Sequence, residues 1–545
     1  MKTSGHASGL TPRNECDLAS AGPNFLSSAP EGDANTYGSP GDPKETATRS
    51  IQLLESIVAD RGLLAELDHE TRRRLLEACG RVSSPDPAQR RQMTRGFERK
   101  ARAERLARKE SDRRVLSGAV IRKRRLHLVL PAPAPMSRSL EAPMAKGPGE
   151  VGEARTCYVC KGQYRRIHFF YDQLCPECAD LNWRKRNQSA DLSGRTALVT
   201  GARVKIGYEA SIKLLRAGAR VIATTRFPRD AALRYAREAD FPKWRANLQI
   251  FGLDLRHTPS IEAFAAHLLA TEDRLDFLLN NACQTVRRPP AYYAHMMEVE
   301  SKALEECPRE ARALLDSFES FRSHREDAQR SPAHPGRTTL RAIGIHESAA
   351  LSQIELVDDD RSCAERLFPS GNLDQDLQQV DLRGRNSWRL ALDEVSAVEL
   401  LEVHLVNAVA PFILNARLKE LMKRRPSRDQ HIVNVSAMEG QFYRAHKTDK
   451  HPHTNMAKAS LNMMTRTSAI DYLNDGIHMN SVDTGWITDE DPIEIAARKE
   501  QQHDFHPPLD VVDAAARICD PIFDGLLSGR HAFGQFFKDY RPTHW

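Results

Sequence analysis

Arg195-Thr-Ala-Leu-Val-Thr-Gly-Ala-Arg-Val-Lys-Ile-Gly-Tyr-Glu-Ala210 decides the fold of this chain. Thr196 to Val199 reads as a short buried strand, Gly201 to Gly207 as a glycine-bearing turn, and Ile206 to Ala217 as an amphipathic helix. A buried strand that ends at glycine and runs into a helix N-terminus is suited to hold a pyrophosphate. Backbone N–H groups and the positive end of the helix dipole both face the anion there. Working outward, Arg220 to Thr225 reads as a second strand. Leu248 to Leu253 gives a third, ending at Asp254-Leu255, and Leu275 to Leu279 a fourth, ending at Asn280-Asn281-Ala282-Cys283. Strand and helix patterns alternate, which predicts parallel βαβ units in an α/β, doubly wound parallel sheet.

From about residue 190 to 545 the sequence resembles the short-chain dehydrogenase/reductase family. The resemblance rests on Thr200, Gly201, Lys205 and Gly207 in the first turn and on Asn280-Asn281-Ala282-Cys283 after the fourth strand. It rests further on Asn407 in Val-Asn-Ala-Val-Ala-Pro-Phe, Ser436 in Ile-Val-Asn-Val-Ser, Lys458, and Thr484-Gly485. It implies an NAD(P)-binding Rossmann fold, a small-molecule carbonyl or alcohol substrate, and a dimer or tetramer built through the helices that carry Asn407 and Lys458. The implied cofactor site comprises Gly201, Arg203, Lys205, Ile206, Gly207, Arg226, Asp254, Leu255, Asn281, Ala282, Lys458, Thr484 and Gly485. Strand two ends in Thr224-Thr225-Arg226 with no acid before Asp230. Arg226 and Arg203 therefore favour the 2′-phosphate of NADP over the ribose hydroxyls of NAD. Lys205 stands where the family has glycine and brings both bulk and charge. Cys283, in place of glycine, is read as a packing residue.

The implied catalytic positions are Asn407, Ser436, Lys458 and Thr454. In the family the last of these is a tyrosine, which exchanges a proton with the substrate oxygen while lysine lowers its pKa. A phenol with pKa about 10 can be tuned toward working pH, and a threonine hydroxyl cannot. Four groups are open as replacements: His453, which also reads as a plain surface histidine, Tyr443, His446, and Tyr292. Two functions follow. One is an NADP-dependent oxidoreductase with a non-standard proton donor or water; the other is an inactive NADP-binding sensor or scaffold.

The 545 residues exceed one ordinary domain, and an apolar share of 40% is low for a fully packed chain. Residues 1–46 read as a disordered tail, 47–130 as a helical, basic region, 131–150 as a linker, and 151–186 as a separate small module. Between Arg90 and Arg125 there are 15 Lys/Arg and 4 Asp/Glu in a chain whose net charge is +6. Such a run can touch nucleic acid, but it carries few aromatic residues and reads more simply as a solvated helix face that packs against the acidic remainder. Cys157-x2-Cys160 and Cys175-x2-Cys178 stand 14 residues apart. That spacing lets four thiolates converge on one zinc ion in a ribbon-like module, with a structural role because no ligand position stays open. No membrane span or targeting segment is expected, and the cysteine usage sets the cytoplasm as the expected location.

Asn281 and Asn407 lie far apart for this family, so roughly residues 287–390 are an insertion. It leaves the fourth strand at the carboxyl edge of the sheet and is expected to lie over the ligand crevice.

Overall fold

The computed structural model describes residues 42–126, 147–330, 348–361, 364–374, 376–425, 427–443 and 447–545. The tail before 42, most of the expected linker, residues 331–337 of the expected insertion and His446 lie outside them. The chain forms two compact units, the first reaching Ala101 and the second spanning Arg102–Trp545.

In the first unit a helix starts at Pro43, inside the expected tail, and runs to Ala59. Asp42 caps it, its carboxylate accepting from the Lys44 N–H at 3.0 Å. A second helix, His69–Ser83, is capped in the same way by Asp68. Most of the basic run lies on a 31-residue helix, Pro87–Ser117, and Arg122 to Arg125 follow on a short helix, Val120–Leu126. The side chains of the longer helix are exposed from Ala88 to Ser111.

The second unit opens with the cysteine module. Strand β1 (Gly149–Thr156) begins inside the expected linker and pairs antiparallel with β2 (Gln163–Ile167). A helix, Pro176–Asn187, follows the second cysteine pair.

The main sheet has eight strands. They are β3 (Thr196–Thr200), β4 (Arg220–Thr225), β5 (Leu248–Gly252), β6 (Phe277–Asn280), β7 (Gln430–Ser436), β8 (Ile477–Asp483), β9 (Phe536–Lys538) and β10 (Arg541–Thr543). Their order is β10-β9-β8-β7-β6-β3-β4-β5, parallel except for β10. The last two strands thus form a hairpin, turned by Asp539 and Tyr540 at positive φ. Alternate residues feed two cores, with Ala197 and Val199 on one face and Leu198 on the other. Helices Lys205–Arg216 and Val511–Ser528 cover the first face; Thr258–Thr271, Ala410–Lys423 and Pro452–Asn474 cover the second. β3 pairs with both β4 and β6, so the topological switch lies at its carboxyl end.

One helical run, Ala397–Lys423, is long and apolar enough to cross a membrane by length and composition. Here its buried face, including Leu414 and Leu418, belongs to the core against the sheet. A π turn at Leu405–Val409 interrupts it and places Asn407 inward.

The insertion does two things. Leu314 offers its carbonyl to the Ile250 N–H at 2.9 Å, which covers the β5 edge. Helix Pro290–Glu300 lies at the crevice, as expected. Two further helices of the insertion are Arg309–Ala313 and Asp316–Arg330.

Three imidazoles, His431, His478 and His531, stack at the foot of β7 and β8 with ring centres 4.9–5.3 Å apart. Burial pulls all three below their ordinary range. His451, stacked on Trp388 at 3.8 Å, is pulled by burial from 6.5 to about 4. These rings stay neutral in the folded chain while the unfolded chain takes up protons below about pH 6.5. Stability is therefore full above that pH and falls as the pH drops toward 4. A melting midpoint several degrees lower at pH 5 than at pH 7.5 is the expected result of a thermal scan.

Candidate active site

A cavity of about 370 Å³ opens at the carboxyl ends of β3, β4, β5 and β6. Its floor is the first turn. Gly201 has φ 66°, and a Cβ there would lie 2.8 Å from Ala282 Cα. Asn281 donates to the carbonyls of Thr200 and Gly201 at 3.0 and 3.3 Å, and the Ala282 N–H donates to Thr200 Oγ1 at 3.0 Å. The turn is thereby fastened to the end of β6, with the N-terminus of the helix that starts at Lys205 facing the cavity.

Lys205 sits at φ 55°, the left-handed conformation that explains why glycine is at home in that slot. Burial opposes its charge, but the carboxylates of Glu490, Asp376 and Asp374 outweigh burial and hold the ammonium above its usual range. An arriving phosphate would have to share Lys205 with those acids. Arg203 is committed elsewhere: it pairs with Asp230 at 2.7 Å and donates to Gln378 at 2.5 Å. Arg226 stays available, lying 4.5 Å over the Tyr293 ring and donating to its hydroxyl at 2.8 Å. Among the described residues no carboxylate pairs with it. Asp254 is buried and held by Arg256 at 2.7 Å; burial pushes its carboxyl up, but Arg256 overcomes this and keeps it below the usual range.

Ten of the thirteen expected cofactor residues line this cavity; Lys458, Thr484 and Gly485 do not. The wall that follows β8 is made instead by Ile487, Thr488, Glu490 and Val511, and the insertion adds Arg288, Tyr292, Tyr293 and Gln378. Sequence patterns gave no sign of these, apart from Tyr292, because tertiary contacts bring them in. Cys283 also lines the cavity and is exposed, so it is not a packing residue.

The expected catalytic positions lie behind that surface. Asn407 is locked to the loop after β6, accepting from the Gln284 N–H at 2.8 Å and donating to its carbonyl at 3.0 Å. Lys458 is buried and donates to the Val435 carbonyl at 2.8 Å. The hydroxyls of Ser436 and Thr454 are buried and lack a partner among the described residues, an arrangement that suits a water or a substrate oxygen. Asp483 couples the loops around them, accepting from Met438 N at 2.8 Å and Gly485 N at 2.9 Å.

Of the replacement proton donors, Tyr443 is 86% exposed and does not line the cavity. His453 is no surface residue: it is 1% exposed, with Nε2 3.4 Å from Glu399 on the neighbouring helix. Among the described candidates, Tyr292 is the one that lines the cavity.

The four sulfurs of Cys157, Cys160, Cys175 and Cys178 lie within 4.8 Å of one another. The Cys160–Cys175 separation is 3.7 Å, and the Cys175 N–H donates to Cys157 Sγ at 3.3 Å. A zinc–sulfur bond of about 2.3 Å gives a tetrahedral edge of about 3.8 Å, so the donor set fits that ion.

Comparison with known proteins matches residues 195–307 to a family model described as short chain dehydrogenase. Residues 386–510 match one described as Enoyl-(Acyl carrier protein) reductase. The gap between the two falls in the insertion. "Uncharacterized protein R665" of Acanthamoeba polyphaga mimivirus is 30% identical over 409 residues, covering 72% of this chain and 75% of that one. "Dehydrogenase/reductase SDR family member 13" of Bos taurus is 38% identical over 104 residues, which is 18% of this chain and 27% of the relative. The chain thus spans about a quarter of the length of that relative. The NADPH-bound carbonyl reductase from chicken fatty liver aligns at 16% identity and a TM-score of 0.40, over 66% of this chain and 98% of that one.

Proposed function

This chain belongs to the short-chain dehydrogenase/reductase family, and from that premise we propose that it is an NADP-dependent oxidoreductase acting on a small carbonyl or alcohol. The observation that carries the cofactor choice is Arg226. It lines the cavity at the end of β4, has no carboxylate partner among the described residues, and no acid stands at the strand end. A guanidinium so placed suits a 2′-phosphate. Gly201, Ile206, Gly207 and the helix N-terminus would hold the pyrophosphate, with Lys205 turning to it from Glu490, Asp374 and Asp376.

Bound NADP would supply the hydride chemistry. Within the chain, Ser436 orients the substrate oxygen, Lys458 fixes the end of β7 through Val435, and Asn407 holds the loop after β6. Thr454 cannot serve as the acid, so the proton comes from Tyr292, from the buried His453, or from water that meets the unpartnered Ser436 and Thr454 hydroxyls.

Titration of the purified chain with NADPH and NADH, followed through tryptophan fluorescence, tests the reading. Tight NADPH binding with much weaker NADH binding is expected. Arg226→Ala should weaken NADPH about 10- to 100-fold, the worth of charge-assisted hydrogen bonds, while leaving NADH nearly unchanged. Equal affinity for both would overturn the NADP assignment.

A second reading is an NADP-binding sensor without turnover. It is supported by the absence of Ser436, Thr454 and Lys458 from the cavity lining. NADPH binding without oxidation across a carbonyl panel would favour it.

A further inference from the structure

We propose that the cysteine module is a metal-set clamp on the segment between β8 and the last helix, and that Tyr158 is the residue through which it positions the outer wall of the cavity. The functional consequence rests on the reading that the cavity takes NADP; the clamp itself does not.

Residues 484–511 carry that wall in Ile487, Thr488, Glu490 and Val511. Apart from helix Ile493–His503 the segment is irregular, so its position must come from its surroundings. One side is held by the insertion, where Asn386 donates to the Glu490 carbonyl at 2.9 Å and Arg389 pairs with Asp491. The other side is held by the module and the residues just before it. The Tyr158 hydroxyl accepts from the Trp486 N–H at 3.0 Å, and Gln173 donates to the His506 carbonyl at 2.5 Å. Arg122 pairs with Asp504 at 2.7 Å, and Arg186 with Asp510 at 2.6 Å. Leu509 is fully buried in the module's own apolar cluster, beside Cys157, Tyr171 and Leu174, with Ile487 packed against it.

Tyr158 is the contact nearest the cavity wall, and the metal ligands set its place. It follows Cys157 and lies two residues before Cys160, and its N–H donates to the Gln173 carbonyl at 2.9 Å. Gln173 in turn lies two residues before Cys175. Both ends of this backbone pair are thus fixed by sulfurs that converge on one point. With metal bound, the four thiolates are one rigid node; without it they have little reason to stay within 4.8 Å of each other. A shift of the knuckle would move the Tyr158 hydroxyl off Trp486. The backbone beside it has little room: a Cβ on Gly485 would meet Leu509 Cδ1 at 2.5 Å and the Tyr158 hydroxyl at 3.5 Å. Displacement would therefore pass along the chain to Ile487 and Thr488.

Amide hydrogen exchange on the full chain, with zinc content measured in parallel, tests this without any cofactor. Stripping zinc with a chelator should speed exchange in peptides covering 484–511 at least tenfold while those from β3, β4 and β6 hold, and added zinc should restore protection. Tyr158→Phe keeps all four thiolates and the ring but removes the acceptor. It should retain zinc and speed exchange at 485–488 roughly fivefold, the worth of one hydrogen bond, with 504–511 unchanged. A matching rise in the NADPH dissociation constant is expected where NADPH binds. Unchanged exchange at 484–511 after zinc loss overturns the clamp, and wild-type exchange at 485–488 in Tyr158→Phe overturns the role of that residue. If zinc loss melts the whole chain, the Tyr158→Phe comparison decides alone. A chain that binds no nucleotide still gives either result, so failure of the NADP reading and failure of the clamp remain distinct.

Discussion

Gly207→Val is expected to abolish NADPH binding and to destabilise the chain by about 2–3 kcal/mol. The reason is steric. A Cβ at Gly207 would lie 2.3 Å from Asn281 Nδ2 and 2.3 Å from the Gly201 carbonyl oxygen. Neither neighbour can retreat. The Asn281 amide is spent on the carbonyls of Thr200 and Gly201, and Gly201 is itself wedged against Ala282. The turn has to swing outward and take with it the N–H groups that face the anion. The same titration, with a denaturant curve beside it, checks both parts. Gly384→Ala is the control, because a Cβ there meets nothing within 4 Å, and it should leave both measurements where they were. Retained affinity in Gly207→Val would mean that no phosphate sits at this turn.

The second large effect is expected at Arg186. Its guanidinium is buried between Asp510 at 2.6 Å and Asp513 at 2.8 Å, the two acids that cap helix Val511–Ser528. Asp513 also accepts from the Tyr171 hydroxyl at 2.6 Å. Arg186→Met keeps the volume but strands two carboxylates, one of them fully buried, and should cost roughly 3–5 kcal/mol in a denaturant titration. The sign of its pH dependence follows. Burial already pushes the Asp513 carboxyl up despite Arg186, and without the arginine it would rise further. The folded variant would then bind a proton that the unfolded chain does not until lower pH, so its deficit relative to wild type should narrow on acidification. A deficit that is small and flat with pH would show that Arg186 is replaceable packing.

Much of this was legible in the sequence because its signals are local. Thr196 to Thr200 and Arg220 to Thr225 are short apolar runs ended by glycine or by a helix start, and both strands lie where those patterns put them. The paired cysteines announce themselves by spacing, and their sulfurs do converge. What could not be read depends on contacts between distant segments. Lys205 looks like a spoiled glycine until three acids from the insertion and the β8 loop are seen around it. Arg203 and Arg226 look alike in sequence, yet Asp230 and Gln378 take the first and leave the second. His453 reads as surface because the helix that buries it is some fifty residues upstream. Nothing near Tyr158 in the sequence points to Trp486.

The separation of the module from its dock has a bearing on how the chain is made. Arg186 and Asp510 are 324 residues apart, and Tyr171 and Asp513 are 342 apart. At a synthesis rate of about 5–20 residues per second, the cysteine module leaves the ribosome roughly 15–70 seconds before its docking surface exists. For that interval Tyr171, Leu174 and Arg186 have no partner surface, and four thiolates around a metal are what can keep so small a body folded. A chain terminated before residue 504 would keep that surface open for good, and its fate in a cell is expected to be degradation or aggregation through that apolar face.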